Sequence, residues 1–126
     1  MSLILDAGGL IAIERGAPLA VALVEQERAR KRRPVTHGGV VGQVWRGGSG
    51  RQANLARFLR GFDIRPLDDE LGRRAGEVLA AAGTDDVVDA AVVLLAHDGD
   101  VIVTSDRTDL ARLAVAADLL VDLISV

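Results

Sequence analysis

The chain of 126 residues has no cysteine. A disulfide framework, a zinc–thiolate centre and a thiol nucleophile are therefore excluded. It also lacks a long apolar run: the longest, Ala90 to Ala96, falls far short of the length needed to span a bilayer. No basic leader or cleavable segment precedes the first apolar residues, and no repeat, low-complexity tract or linker divides the chain. Lysine is nearly absent, Lys31 being the only one. These absences predict one soluble domain, residues 1–126, in a reducing cytoplasm, with no membrane association. What is present fits that reading, with 49% apolar and 26% charged residues.

The net charge of −3 is unevenly spread. Residues 1–60 carry ten basic groups against four acids, a balance of +6, whereas residues 61–126 carry five against fourteen, a balance of −9. One half is suited to a polyanion and the other gathers carboxylates.

Leu3-Ile4-Leu5 is apolar with no polar face, as in a strand buried on both sides of a parallel sheet. Asp6 follows at once, and Gly8-Gly9 read as a tight turn before the apolar Leu10 to Ile13. Pro18 and a cationic end predict a helix over 18–31, and Pro34 to Thr36 a second strand. Helical spacing runs from Val40 to Arg46 and is broken by Gly47-Gly48-Ser49-Gly50. A further helix is expected over 51–60, and residues 62–67 read as an edge strand that tolerates Pro66. An acid-rich first turn predicts a helix from about 68 to Ala82, stopped at Gly83. Thr84 reads as the cap of an apolar helix over 85–97. Val101 to Thr104 is a second buried strand, a helix follows from Ser105 to Ala114, and Leu119 to Ile124 is a last strand. Strands alternating with helices predict a three-layer α/β domain with a mainly parallel sheet.

The acids give this frame its chemical content. Asp106 repeats the placement of Asp6, at the carboxyl end of a buried strand, which is where open α/β sheets hold their ligands. Asp109 and the pair Asp86 and Asp89 follow at helical spacing. Each acid also reads as an ordinary helix cap or dipole partner, except that Asp89 is expected in the second turn of an apolar helix, where burial of a charge is costly. Two carboxylates about 4 Å apart repel by about 4 kcal/mol at an effective dielectric near 20. Asp6, Asp89 and Asp106 can share a site only with a divalent ion, a shared proton or a basic side chain. Hard oxygen ligands suit Mg²⁺ or Mn²⁺, and such a site can hydrolyse a phosphodiester.

With Leu3 to Asp6, Val40 to Arg46, Thr84 to Ala90, and Val103 to Asp106 with Asp109, the chain resembles PIN-domain ribonucleases of the VapC toxin type. The resemblance covers nearly the whole chain and implies a single PIN-like α/β/α domain with a five-stranded, mainly parallel sheet. It implies a toxin of a type II toxin–antitoxin pair: a Mg²⁺- or Mn²⁺-dependent endoribonuclease, dimeric in its complex with a VapB-type antitoxin. By position it makes Asp6, Asp89 and Asp106 the catalytic and metal-holding acids, with Asp86 and Asp109 accessory. The family's remaining acid, a Glu, falls on Gln43, which offers a carbonyl oxygen and no charge. Arg46 and Arg51, with the Arg28–Arg33 run, Arg57 and Arg60, are candidates for phosphate contacts, and Trp45 for a stacking face or a buried or interface aromatic.

Gln43 keeps open a second class, a degenerate PIN domain that binds RNA or a partner without cutting. A third, a phosphoacceptor signalling domain, would have an acidic pair ending the first strand and a Lys after the last, and this chain has neither. His37, beside a glycine pair, and His97, at an expected helix end, are read as structural.

Overall fold

The computed structural model describes residues 1–47 and 50–126. Its elements run β1 (Leu3–Leu5), α1 (Ala7–Glu14), α2 (Pro18–Ala29), β2 (Val35–His37), α3 (Gly38–Val44), α4 (Ala53–Leu59), β3 (Asp63–Arg65), α5 (Asp69–Ala82), α6 (Val87–Leu94), β4 (Val101–Thr104), α7 (Arg107–Ala116) and β5 (Asp122–Ser125). All strand pairs are parallel, in the order β3-β2-β1-β4-β5. The five strands are flanked by helices, which is the α/β class the sequence predicts.

The topology fixes where a ligand belongs. From β1 the chain moves outward to β2 and β3, then returns to the other side of β1 for β4 and β5. The direction therefore reverses between β1 and β4, and the crevice beyond their carboxyl ends is the switch point where open α/β sheets bind ligands. Asp6 and Asp106 leave the sheet at that crevice. The central strands are buried along their whole length, which is why they read as unbroken apolar runs. Leu10 and Ile13 of α1, Val92 and Val93 of α6, and Leu110 and Leu113 of α7 complete the core against them.

Several boundaries differ from the sequence reading. Gly8 and Gly9 form no turn: α1 begins directly after Asp6 and both glycines lie inside it. A Cβ at Gly8 would overlap the Ser105 side chain, and one at Gly9 would stand 2.9 Å from the Val103 carbonyl oxygen. Their role is to let α1 pack tightly on β4. The helix expected over 85–97 is shorter, because Asp86 and not Thr84 reaches the amide that caps it. This places Asp89 in the first turn, not the second, and leaves the Thr84 hydroxyl buried without a partner among the described residues. α3 stops at Val44, two residues short of expectation, and the last strand starts at Asp122. Gly47 and Gly50 of the expected break have positive φ, as glycine allows, while Gly48 and Ser49 lie outside the described residues. Among the described residues no single helix is long and apolar enough to cross a membrane.

Candidate metal centre

Each acid is delivered by the start of a helix. Asp6 ends β1 and caps α1, its Oδ1 accepting the Gly9 N–H at 2.9 Å. Asp86 caps α6 by accepting the Asp89 N–H at 3.0 Å. Asp106 caps α7, accepting the Asp109 N–H at 3.3 Å. The cap reading and the site reading are therefore both true: the positive ends of three helices face the same group of carboxylates and offset part of their repulsion.

Thr104, the last residue of β4, joins two of them. Its buried hydroxyl donates to Asp6 Oδ2 at 2.5 Å and accepts the Asp106 N–H at 2.8 Å. Removing that hydroxyl would take one hydrogen bond from the Asp6 carboxylate and one from the Asp106 backbone. Sequence reading placed Thr104 only as the end of a strand. The signal for more was its polar side chain closing a run of buried aliphatics.

The electrostatics record the convergence. Asp89 is pushed up to about 7, first by burial and then by the charges of Asp86, Asp6, Asp106 and Asp109. Asp6, only 4% exposed, is also raised, burial outweighing the hydrogen bonds from Thr104 and Gly9. Asp109 is raised by the adjacent Asp106 carboxyl. Among the described residues no Arg or Lys forms an ion pair with any of these five acids. Arg112 tempers the exposed Asp109 without forming an ion pair, and for Asp6, Asp89 and Asp106 a proton or a cation is left of the three ways to relieve repulsion.

The donor set fits a hard divalent cation, with carboxylate oxygens from three elements and no nitrogen or sulfur donor. As placed, however, no three His, Cys, Asp or Glu side chains among the described residues are drawn together closely enough to enclose an ion. A cation would have to draw the carboxylates in.

The remaining sequence-predicted residues sit elsewhere. Gln43 is exposed on α3, and its side chain makes no hydrogen bond among the described residues. Arg46 lies beyond α3 and folds its guanidinium onto the carbonyls of Gly42, Gln43 and Trp45, so it caps that helix. Arg51 is exposed in the turn before α4. Trp45 is 39% exposed and hence not the core aromatic that was one of its expected roles. Arg28, Arg32, Arg57 and Arg60 line a groove of about 490 Å³ with Phe58 and Phe62. That groove lies at the amino ends of β2 and β3, opposite the acids. His97 lies beyond the end of α6 and is exposed, whereas His37 is wholly buried.

No family model matches the sequence, and no curated protein matches it. The fold does have a counterpart: a chain in the crystal structure of VapBC2 from Rickettsia felis bound to a DNA fragment from their promoter superposes with a TM-score of 0.72. The match covers 98% of this chain and 99% of that one at 14% identity. The likeness is one of fold, over the whole length.

Proposed function

We propose that this chain is a VapC-type toxin, a Mg²⁺- or Mn²⁺-dependent endoribonuclease that hydrolyses RNA phosphodiester bonds in the cytoplasm. The observation that carries the reading is the convergence of Asp6, Asp86, Asp89, Asp106 and Asp109 at the switch point, with no Arg or Lys ion-paired to them among the described residues. Structural likeness to a VapBC2 chain supports it, and by analogy the partners are a VapB-type antitoxin and a second copy of the chain.

Asp6, Asp89 and Asp106 would hold the cation. Bound there, it supplies charge neutralisation at the phosphoryl group and an acidified water as nucleophile. Thr104 keeps Asp6 and Asp106 in register through its hydroxyl. Asp89 gives up its proton to admit the ion, since a group titrating near 7 is only partly ionised at neutral pH. Asp109, exposed and raised by Asp106, is an accessory acid beside it.

The test is cleavage of a labelled RNA by the purified chain, freed of any antitoxin, in Mn²⁺ and in EDTA. Cutting is expected only with the ion and is expected to vanish in Asp6→Asn while the fold persists. Metal-independent cutting, or full activity in Asp6→Asn, would overturn the assignment. The second reading, a binding domain that does not cut, is favoured by the neutral Gln43 and the open spacing of the acids. It predicts no cutting by the parent in Mn²⁺, with activity appearing in Gln43→Glu.

A further inference from the structure

His37 ends β2 with its ring wholly buried. Nδ1 accepts the Gly39 N–H at 3.1 Å and so caps α3. Nε2 lies 3.0 Å from the carbonyl oxygen of Val88, which is 51 residues further along the chain in α6. An amide N–H only donates and a carbonyl only accepts, so the ring is the neutral tautomer with its proton on Nε2. Burial pushes the imidazole below its ordinary pKa, in keeping with a ring that stays neutral.

The partner of Nε2 gives this bond its significance. The Val88 carbonyl belongs to the same peptide unit as the Asp89 N–H, and that N–H donates to Asp86 Oδ1 at 3.0 Å. A peptide unit is planar, so holding its oxygen and its N–H fixes the direction in which the next Cα leaves it. That Cα carries the Asp89 carboxylate. Gly39 makes the arrangement possible, because a Cβ there would stand 2.9 Å from His37 Cε1 and 3.1 Å from Nδ1.

We infer that His37 is a positioning residue for the acidic site: through the Val88 carbonyl it orients the Val88–Asp89 peptide and with it the Asp89 carboxylate. It touches neither ion nor substrate. The inference rests on the proposed reading of the acids as a divalent-cation site, and the experiment separates the two.

Asn and Gln divide the ring's two tasks. The amide of Asn stands where Nδ1 does and keeps the cap; the amide of Gln reaches the place of Nε2 and keeps the bond to Val88. Mn²⁺ affinity is measured by titration, and amide hydrogen exchange is followed over residues 89–92. His37→Asn is expected to melt near the parent, to exchange faster over 89–92, and to bind Mn²⁺ about 10- to 100-fold more weakly. On RNA it loses kcat at unchanged KM. His37→Gln is expected to melt lower and to keep Mn²⁺ affinity. Gly39→Ala, which displaces an unaltered ring, is expected to behave like His37→Asn in both measurements and serves if the Asn variant does not fold. The inference is overturned if His37→Asn matches the parent in both Mn²⁺ affinity and exchange, or if His37→Gln is impaired at the metal site as much as His37→Asn. A parent that neither binds Mn²⁺ nor cuts RNA sinks the reading of the site instead, and the exchange contrast between the variants still decides the role of His37.

Discussion

Asp89 bears the cost of the company it keeps. Its ordinary pKa is about 4, and burial with four like charges lifts it to about 7. The sign of the consequence follows from linkage. Between these values the folded chain holds a proton that the unfolded chain releases, so the contribution to stability is full below pH 4, declines as pH rises, and is lost above about 7. Asp6, shifted in the same direction, adds to the decline. In EDTA the parent should therefore lose stability from pH 4.5 to 8, and Asp89→Asn should lose less. At pH 8 the variant is expected to be more stable than the parent by about 1–3 kcal/mol, discounted for partial solvent screening, while RNA cleavage is abolished. Thermal melts across that pH range check it. A variant that melts lower than the parent at pH 8 would mean that Asp89 is not under repulsion.

At the scale of elements, what was legible in the sequence is what is fixed locally. β1 and β4 stood out because strands buried on both faces are apolar without alternation, and the acids at their ends followed from the same runs. Gly83 marked the end of α5 because a left-handed residue, φ 71°, is needed there. Contacts between distant segments left no such local mark. Gly8-Gly9 has the composition of a turn, and only the approach of Ser105, almost a whole chain away, makes it the floor of a helix contact. The choice between Thr84 and Asp86 as cap depended on which side chain reaches an amide, and Val88 as the partner of His37 had no local signal at all.

The glycines turn this into a measurement. Gly76 of α5 has open space where a Cβ would go, so Gly76→Ala should stabilise the chain by about 0.5–1 kcal/mol through helix propensity. Gly8→Ala has the same local propensity gain but drives a methyl into Ser105, whose backbone nitrogen would lie 2.8 Å away. It should destabilise by about 1–3 kcal/mol. Because Ser105 precedes Asp106, it should also weaken Mn²⁺ binding. Chemical denaturation of the two variants decides it: opposite signs are expected, and a stabilising Gly8→Ala would remove the close contact of α1 with β4 from the account.

Across the whole molecule, the charge asymmetry of the sequence becomes an asymmetry of ends. The carboxylates gather beyond the carboxyl ends of the strands, and the arginine groove opens beyond their amino ends. The two groups are separated by the length of three- and four-residue strands, about 10–13 Å at 3.3 Å per residue. Not all the arginines are available for RNA. Arg32 is held by the buried Glu27 in a two-bonded pair of 3.1 and 2.8 Å, and Arg57 is bonded to Asn54. Arg28 and Arg60 make no side-chain hydrogen bond or ion pair among the described residues and are exposed. On the proposed reading, an RNA strand would be repelled by the carboxylates at one end and would gain its ionic contacts at the other, where Phe58 lines the groove with the arginines. RNA binding in EDTA, where no cutting occurs, should therefore weaken with salt, and Arg28→Ala combined with Arg60→Ala should reduce the slope of log affinity against log salt by about 1.4, two phosphate contacts at 0.7 each. The rate of cutting at saturating RNA in Mn²⁺ should be unchanged, since neither arginine lies at the acidic end. A slope equal to that of the parent would mean that the substrate never reaches the groove, and that the positive half of the chain serves another partner.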